Sequence, residues 1–457
     1  FRLGERHQER GASREAMRYA EETMRIADAL RTATQPTDSG QLADAAKQLA
    51  VESRVLWANV CSRLSGTDRD VMAAISTAQQ AEKIADGMSS GLDRLLMLSK
   101  ACRCLAYMYL LNERDTLGIP PVHRGLKHAE AAREFVANDT DWEVQLELAN
   151  AKKSIGLITY KMDRDPESRG RIPQFYQDAL DLADQILAGA DVAPKTKKLA
   201  LALRGGVFND RSMYWGNLGV SEWDAAMMRQ GFDDAVEAVK VSQAMLESDP
   251  LNNDYRHRVS IGYWNVADRV TYFGPCDTEI EARRKSISAA MPLLERHRGN
   301  ATLEMINLQR FRLCSPLLQR GKEKEALIVF RQILASGMPL EDLEGGSMRD
   351  VVCAVLFAKL ADSLGQEGDQ WMEPSLTRET CLARAAKLLM RMKEGIENMP
   401  PESRSLWLDR IRVRMDAKQA LASVFEQHPE VRLAEKLIPL IDETEKTQRF
   451  IDPWPVP

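Results

Sequence analysis

Apolar residues recur at helical spacing through almost the whole chain, in stretches that come in pairs, and this limits the fold more than any other feature. Ile287, Ala290, Met291 and Leu294 fall on one face of an α-helix, as do Leu382, Ala385, Ala386 and Leu389, and again Ala235, Ala238, Val239, Ser242 and Leu246. No comparable run alternates with period two. Gly- and Pro-bearing breakers at residues 35–40, 118–121, 163–173, 249–250, 345–346 and 399–401 punctuate helices rather than domains. Between them lie helix pairs whose first members are expected near Gln41, Leu92, Asp141, Thr196, Asp254, Ala301, Met348 and Ser403, at intervals of 47 to 58 residues. A helix pair repeated at a near-constant interval buries its apolar face only against its neighbours, which is the mark of an α-solenoid. The expectation is an all-α chain of about eight antiparallel helix pairs. A single helical bundle is the plainer alternative.

Composition narrows the function classes. A chain of 457 residues that is 44% hydrophobic and 28% charged can bury a large core or several stacked ones, and is neither disordered nor fibrous. Its 62 Lys and Arg against 67 Asp and Glu leave a net charge of -5, which supplies no overall attraction for phosphate backbones, so nucleic acid is not the expected partner. The longest apolar run, residues 351–358, is far short of the roughly 20 residues a spanning helix needs, so no membrane partner is expected. The 7 cysteines, an odd number mostly set in apolar helical patterns, read as reduced thiols. With no export leader in view, the expected compartment is the cytoplasm. The chain lacks an initiator Met and the repeat register puts Phe1 inside a helix, which reads as a fragment or a processed product.

At residues 301–339 Leu313 and Cys314 stand in a Leu-Gly slot, Leu317 in a Tyr slot, Gly321 at a turn, and Ala326 and Phe330 on a second helix, with Arg310 where Trp is usual. This unit resembles a tetratricopeptide repeat. The same ruler places Leu3, Gly4, Gly11, Ala16 and Ala20 at matching offsets, and Trp215, Leu218 and Gly219 supply the Trp-x-x-Leu-Gly signature, followed by Gly231, Ala235 and Val239. Four extra residues separate the halves of that unit, and Trp264 and Ala282 are two residues further apart than the family pattern. The stretch from Asp249 to Gly274 is similar to repeats in large bacterial signalling proteins, some of which attach such an array to a Ser/Thr kinase. The resemblance implies a right-handed superhelical α-solenoid with long, irregular repeats. It divides the chain into 1–40, the second half of a truncated first repeat; 41–451, the helical repeat array; and 452–457, a Pro-rich tail.

The search for chemistry yields no convergent set. Gly87-Met88-Ser89-Ser90-Gly91 matches a nucleophile elbow, but a helix precedes it where the elbow needs a strand, so it reads as a loop with Ser89 as a cap. Asp163, Asp165 and Glu167 begin like a calcium loop, yet Ser168 replaces the turn glycine and Gln174 the closing carboxylate. Cys102 with Cys104, and His123 with His128, point too far apart on a helix to share a metal. Gly205-Gly206 and Gly345-Gly346 lack the ending that cradles phosphate. The basic set Arg404, Arg410, Arg412 and Arg414 and the acidic set Glu341, Asp342 and Glu344 read as solvated surface. No catalytic residue, metal ligand or cofactor is assigned.

Ten of the 28 aromatic residues lie between Phe208 and Phe273, and not all ten can face inward. Most read as hairpin core. By the family pattern, the residue after the repeat Trp and those one and two turns later line the concave surface, which selects Asn265, Arg269 and Tyr272, joined by Arg204, Asn209 and Arg211 from the preceding pair. The resemblance thus implies a peptide site in which Asn holds a backbone amide, Arg takes a carboxylate and Tyr adds apolar area. The set departs from the Lys-Asn carboxylate clamp of chaperone-binding members. The leading expectation is a non-catalytic scaffold for a protein or peptide. The alternative is the regulatory repeat region of a larger bacterial signalling enzyme, a kinase or protease, whose catalytic domain lies elsewhere.

Overall fold

The structure is a computed structural model that describes residues 13–33, 40–61, 70–112, 116–136, 141–163, 165–222, 224–271, 276–296, 300–337, 347–366, 376–398 and 421–431. Among these residues the regular structure is helical, with no strand. The expected helix start near Ser403, the leading Leu3, Gly4 and Gly11, the basic and acidic sets of residues 404–414 and 341–344, and the tail at 452–457 lie outside the described residues.

The helices are α1 (Ser13–Ala33), α2 (Gly40–Cys61), α3 (Val71–Asp86), α4 (Leu92–Leu111), α5 (Ile119–Phe135), α6 (Trp142–Met162), the short α7 (Pro166–Gly170), α8 (Ile172–Ala188), α9 (Pro194–Ser221), α10 (Ala225–Ser248), α11 (Asn253–Val270), α12 (Cys276–Arg296), α13 (Asn300–Gln319), α14 (Glu323–Leu334), α15 (Ser347–Gln366), α16 (Arg378–Glu397) and the short α17 (Ala422–Gln427). The first members of successive pairs thus begin at Gly40, Leu92, Trp142, Pro194, Asn253, Asn300 and Ser347, each within two residues of the position expected from the breakers. The ends are set by local chemistry. Asp70 and Asp141 accept the orphan N–H groups of Ala73 (2.8 Å) and Val144 (3.2 Å) at the starts of α3 and α6. Thr377 and Thr380 form a reciprocal capping box on α16. Gly321, at φ +67°, makes the turn between α13 and α14, a left-handed conformation that a side chain would strain.

The chain divides into two compact units. One comprises residues 1–217, 233–262 and 299–301, the other 218–232, 263–298 and 302–457. In the first unit each of α1 to α6 packs on the next in sequence, α6 continues to α8, and α2 packs on α4 and α4 on α6. Contact with the first and second neighbour is how stacked hairpins bury their apolar faces. Ala16 and Ala20 of α1, the positions marked by the repeat ruler, are fully buried. Where α6 crosses α8, a Cβ on Gly156 would sit 2.9 Å from the Tyr176 ring, and that ring is fully buried. Gly156→Ala would gain up to about 1 kcal/mol of helix propensity but lose about 1–3 kcal/mol to overpacking. The expected outcome is net destabilisation, read as a lower urea midpoint, with the reverse sign if the ring yields.

In the second unit the repeat pattern maps onto the core. Leu313, Cys314, Leu317, Ala326 and Phe330 are all buried, and Phe330 meets Phe357 edge to face at 5.2 Å. The long apolar run at 351–358 is buried throughout, because α15 packs on both α14 and α16. No described helix is long and apolar enough to cross a membrane.

Candidate partner-binding surface

The described residues among the six singled out in the sequence are divided between the two units. Arg204, Asn209 and Arg211 belong to the first unit, on α9, and Asn265 and Arg269 to the second, on α11. Tyr272 lies outside the described residues.

On α9, Arg204, Phe208 and Arg211 stand at i, i+4 and i+7, one face of the helix. Both guanidinium groups lie over the Phe208 ring, at 4.9 Å for Arg204 and 5.5 Å for Arg211, a cation–π arrangement. Arg204 Nε donates to Asp184 of α8 at 2.8 Å. Arg211 is held more firmly: Nε and Nη2 donate to the two oxygens of Asp234 on α10 at 2.8 and 2.7 Å, and Nη1 donates to Gln177 Oε1 of α8 at 3.0 Å. Burial pushes the Asp234 carboxyl above its ordinary range, against the opposing pull of Arg211. Asn209 Nδ2 donates to Asp210 Oδ1 at 3.3 Å, and Asp210 pairs with Lys153 of α6 at 3.0 Å. Both arginines keep partial exposure, with side chains 27% and 16% accessible, so the face is partly open and its side chains are already positioned.

Similar pairs link first-member helices earlier in the same unit. Arg103 of α4 binds Glu147 of α6 through two hydrogen bonds of 2.8 and 2.9 Å, and Ser99 donates to the same carboxylate at 2.6 Å. Lys100 pairs with Glu143 at 3.4 Å.

On α11 the side chains are turned inward. Asn265 and Arg269 are 7% and 5% exposed, where the family pattern led to an open groove. The same helix carries Asp268, the centre of a buried ionic network. Arg312 Nη1 of α13 donates to both its oxygens at 2.8 Å, Trp264 Nε1 donates to Oδ2 at 2.9 Å, and Arg283 Nη2 of α12 donates to Oδ1 at 3.1 Å. Burial alone would raise this carboxyl, but Arg312, Arg283 and Arg269 outweigh it and hold it at about 2. Arg283, 1% exposed, also donates to Glu279 Oε1 from Nε and Nη2 at 2.9 and 2.7 Å, to Gln309 Oε1 at 3.0 Å and to Thr271 Oγ1 at 3.1 Å. Burial would lower its pKa, yet Glu279 and Asp268 raise it, so it stays charged. Sequence reasoning missed this network. The one signal available was Glu279 and Arg283 at i, i+4, in register with Ser286, Ala290 and Leu293 on the buried side of α12.

The motifs set aside in the sequence resolve into ordinary structure. Residues 87–91 form the loop between α3 and α4. Ser89 does not cap α4, whose N-cap is Gly91; its backbone N–H donates to Asp44 instead. Asp165 caps α7 by accepting from Ser168, and Asp163 accepts from the Asp165 N–H, so both carboxylates serve the turn. Among the described residues no group of three His, Cys, Asp or Glu is placed to hold a metal ion.

All seven cysteines are buried. Burial pushes the thiols of Cys61, Cys102 and Cys104 up to about 12 and that of Cys381 to about 11, and raises Cys314 as well; Glu82 adds to the effect on Cys102. Because thiolate is the reacting form, these five are expected to react with a disulfide reagent at neutral pH about a hundredfold or more slower in the native chain than in urea. Stoichiometric labelling at the unfolded rate would contradict the packing.

No family model matches the sequence, and neither does any curated protein. Among solved structures the chain is similar to a monomeric mutant of IFIT1 with m7Gppp-AAAA, at 11% identity over 95% of this chain and 78% of that one, with a TM-score of 0.35. It is also similar to an IFIT1 monomeric mutant with Gppp-AAAA, at 12% identity over the same shares and the same TM-score of 0.35. A circular tandem repeat protein with novel repeat topology matches at 13% identity over 94% of this chain and 96% of that one, with a TM-score of 0.28.

Proposed function

We propose that the chain is a non-catalytic scaffold that binds a protein or peptide along the partly open face of α9, with Arg204 and Asn209 as contact residues and Arg211 as the fixed support. The observation that carries this reading is the Arg204–Phe208–Arg211 stack, in which two half-buried cations are held over one ring by Asp184, Asp234 and Gln177. Side chains ordered before contact lose little freedom on binding, and Arg is enriched among the residues that dominate interfaces. Asn265 and Arg269 are buried on α11.

The test begins with a displayed random-peptide library selected against the immobilised chain. Titration of the best peptide is expected to show affinity falling about tenfold or more for Arg204→Ala and for Asn209→Ala, with thermal unfolding little changed, because an exposed ion pair such as Arg204–Asp184 contributes at most about 1 kcal/mol. Arg211→Ala is the wrong probe, since it strands the buried Asp234. Enrichment no better than on an unrelated helical protein, or unchanged affinity in both variants, would refute the reading.

A further inference from the structure

We draw no further inference here: the strongest candidate, the buried side-chain cluster around Tyr176 of α8 and Asp210 of α9, carries nothing because Asp210 is already engaged by Lys153 and Asn209 and nothing in the structure points to a ligand beside the Tyr176 hydroxyl.

Discussion

Arg283→Ala is expected to destabilise the region of α11 to α13 by about 3–5 kcal/mol, because removing one partner of a buried ionic set leaves the others charged and unsatisfied. Arg283 makes hydrogen bonds to Glu279, Asp268, Gln309 and Thr271, and among the described residues Glu279 keeps the Thr271 hydroxyl at 3.0 Å once the guanidinium is gone. Native-state hydrogen exchange should show amides in these helices exchanging about two to four powers of ten faster. The double variant Arg283→Met with Glu279→Leu should recover much of the loss, since apolar packing of similar volume can replace a buried pair. An equal loss in both variants would show that shape, not charge, is at stake.

The same network fixes a pH dependence. Asp268 is held below its unfolded value, so its contribution is complete above the unfolded pKa near 4 and is lost as pH falls toward about 2. Arg283→Ala takes away one of the three cations that lower it, so acid unfolding followed by circular dichroism should begin at higher pH in that variant.

Phe330→Ala is the second large effect, expected at about 3–5 kcal/mol. The ring is fully buried and meets Phe357 edge to face, a geometry that adds about 0.5–1.5 kcal/mol beyond burial. Ala326 and Cys314 beside it are already small and cannot expand to fill the space. The fastest-exchanging amides should then appear on α14 and α15. Phe330→Leu, which keeps most of the volume, should lose far less; a loss as large as that of Phe330→Ala would contradict the cavity explanation.

The sequence carried the helices well and the surface poorly, for one physical reason. Burial of a helical stripe is periodic and local, so Leu382, Ala385, Ala386 and Leu389 can be placed in the core from spacing, and the repeat resemblance adds Ala16, Ala20, Ala326 and Phe330, with Gly321 at its turn. The partner of a charged residue is neither periodic nor local. Arg211 meets Asp234 across 23 positions and Arg312 meets Asp268 across 44, so nothing near either arginine tells whether it faces a partner or its own protein. That is why Arg269 reads as groove and lies in packing, while Arg283, which the sequence does not single out, is almost wholly buried. The aromatic stretch behaves in the same divided way: Phe208, Phe232, Tyr255 and Tyr263 are core, whereas Tyr214, Trp215 and Trp264 stay half-buried.

The most direct measurement of the binding claim is hydrogen–deuterium exchange with and without the tightest peptide from the library selection. New protection is expected on α9 from about Arg204 to Arg211 and on the facing turns of α8 and α10, and it should vanish in Asn209→Ala. Protection confined to other helices, with α9 unchanged by a peptide bound at saturation, would contradict the account.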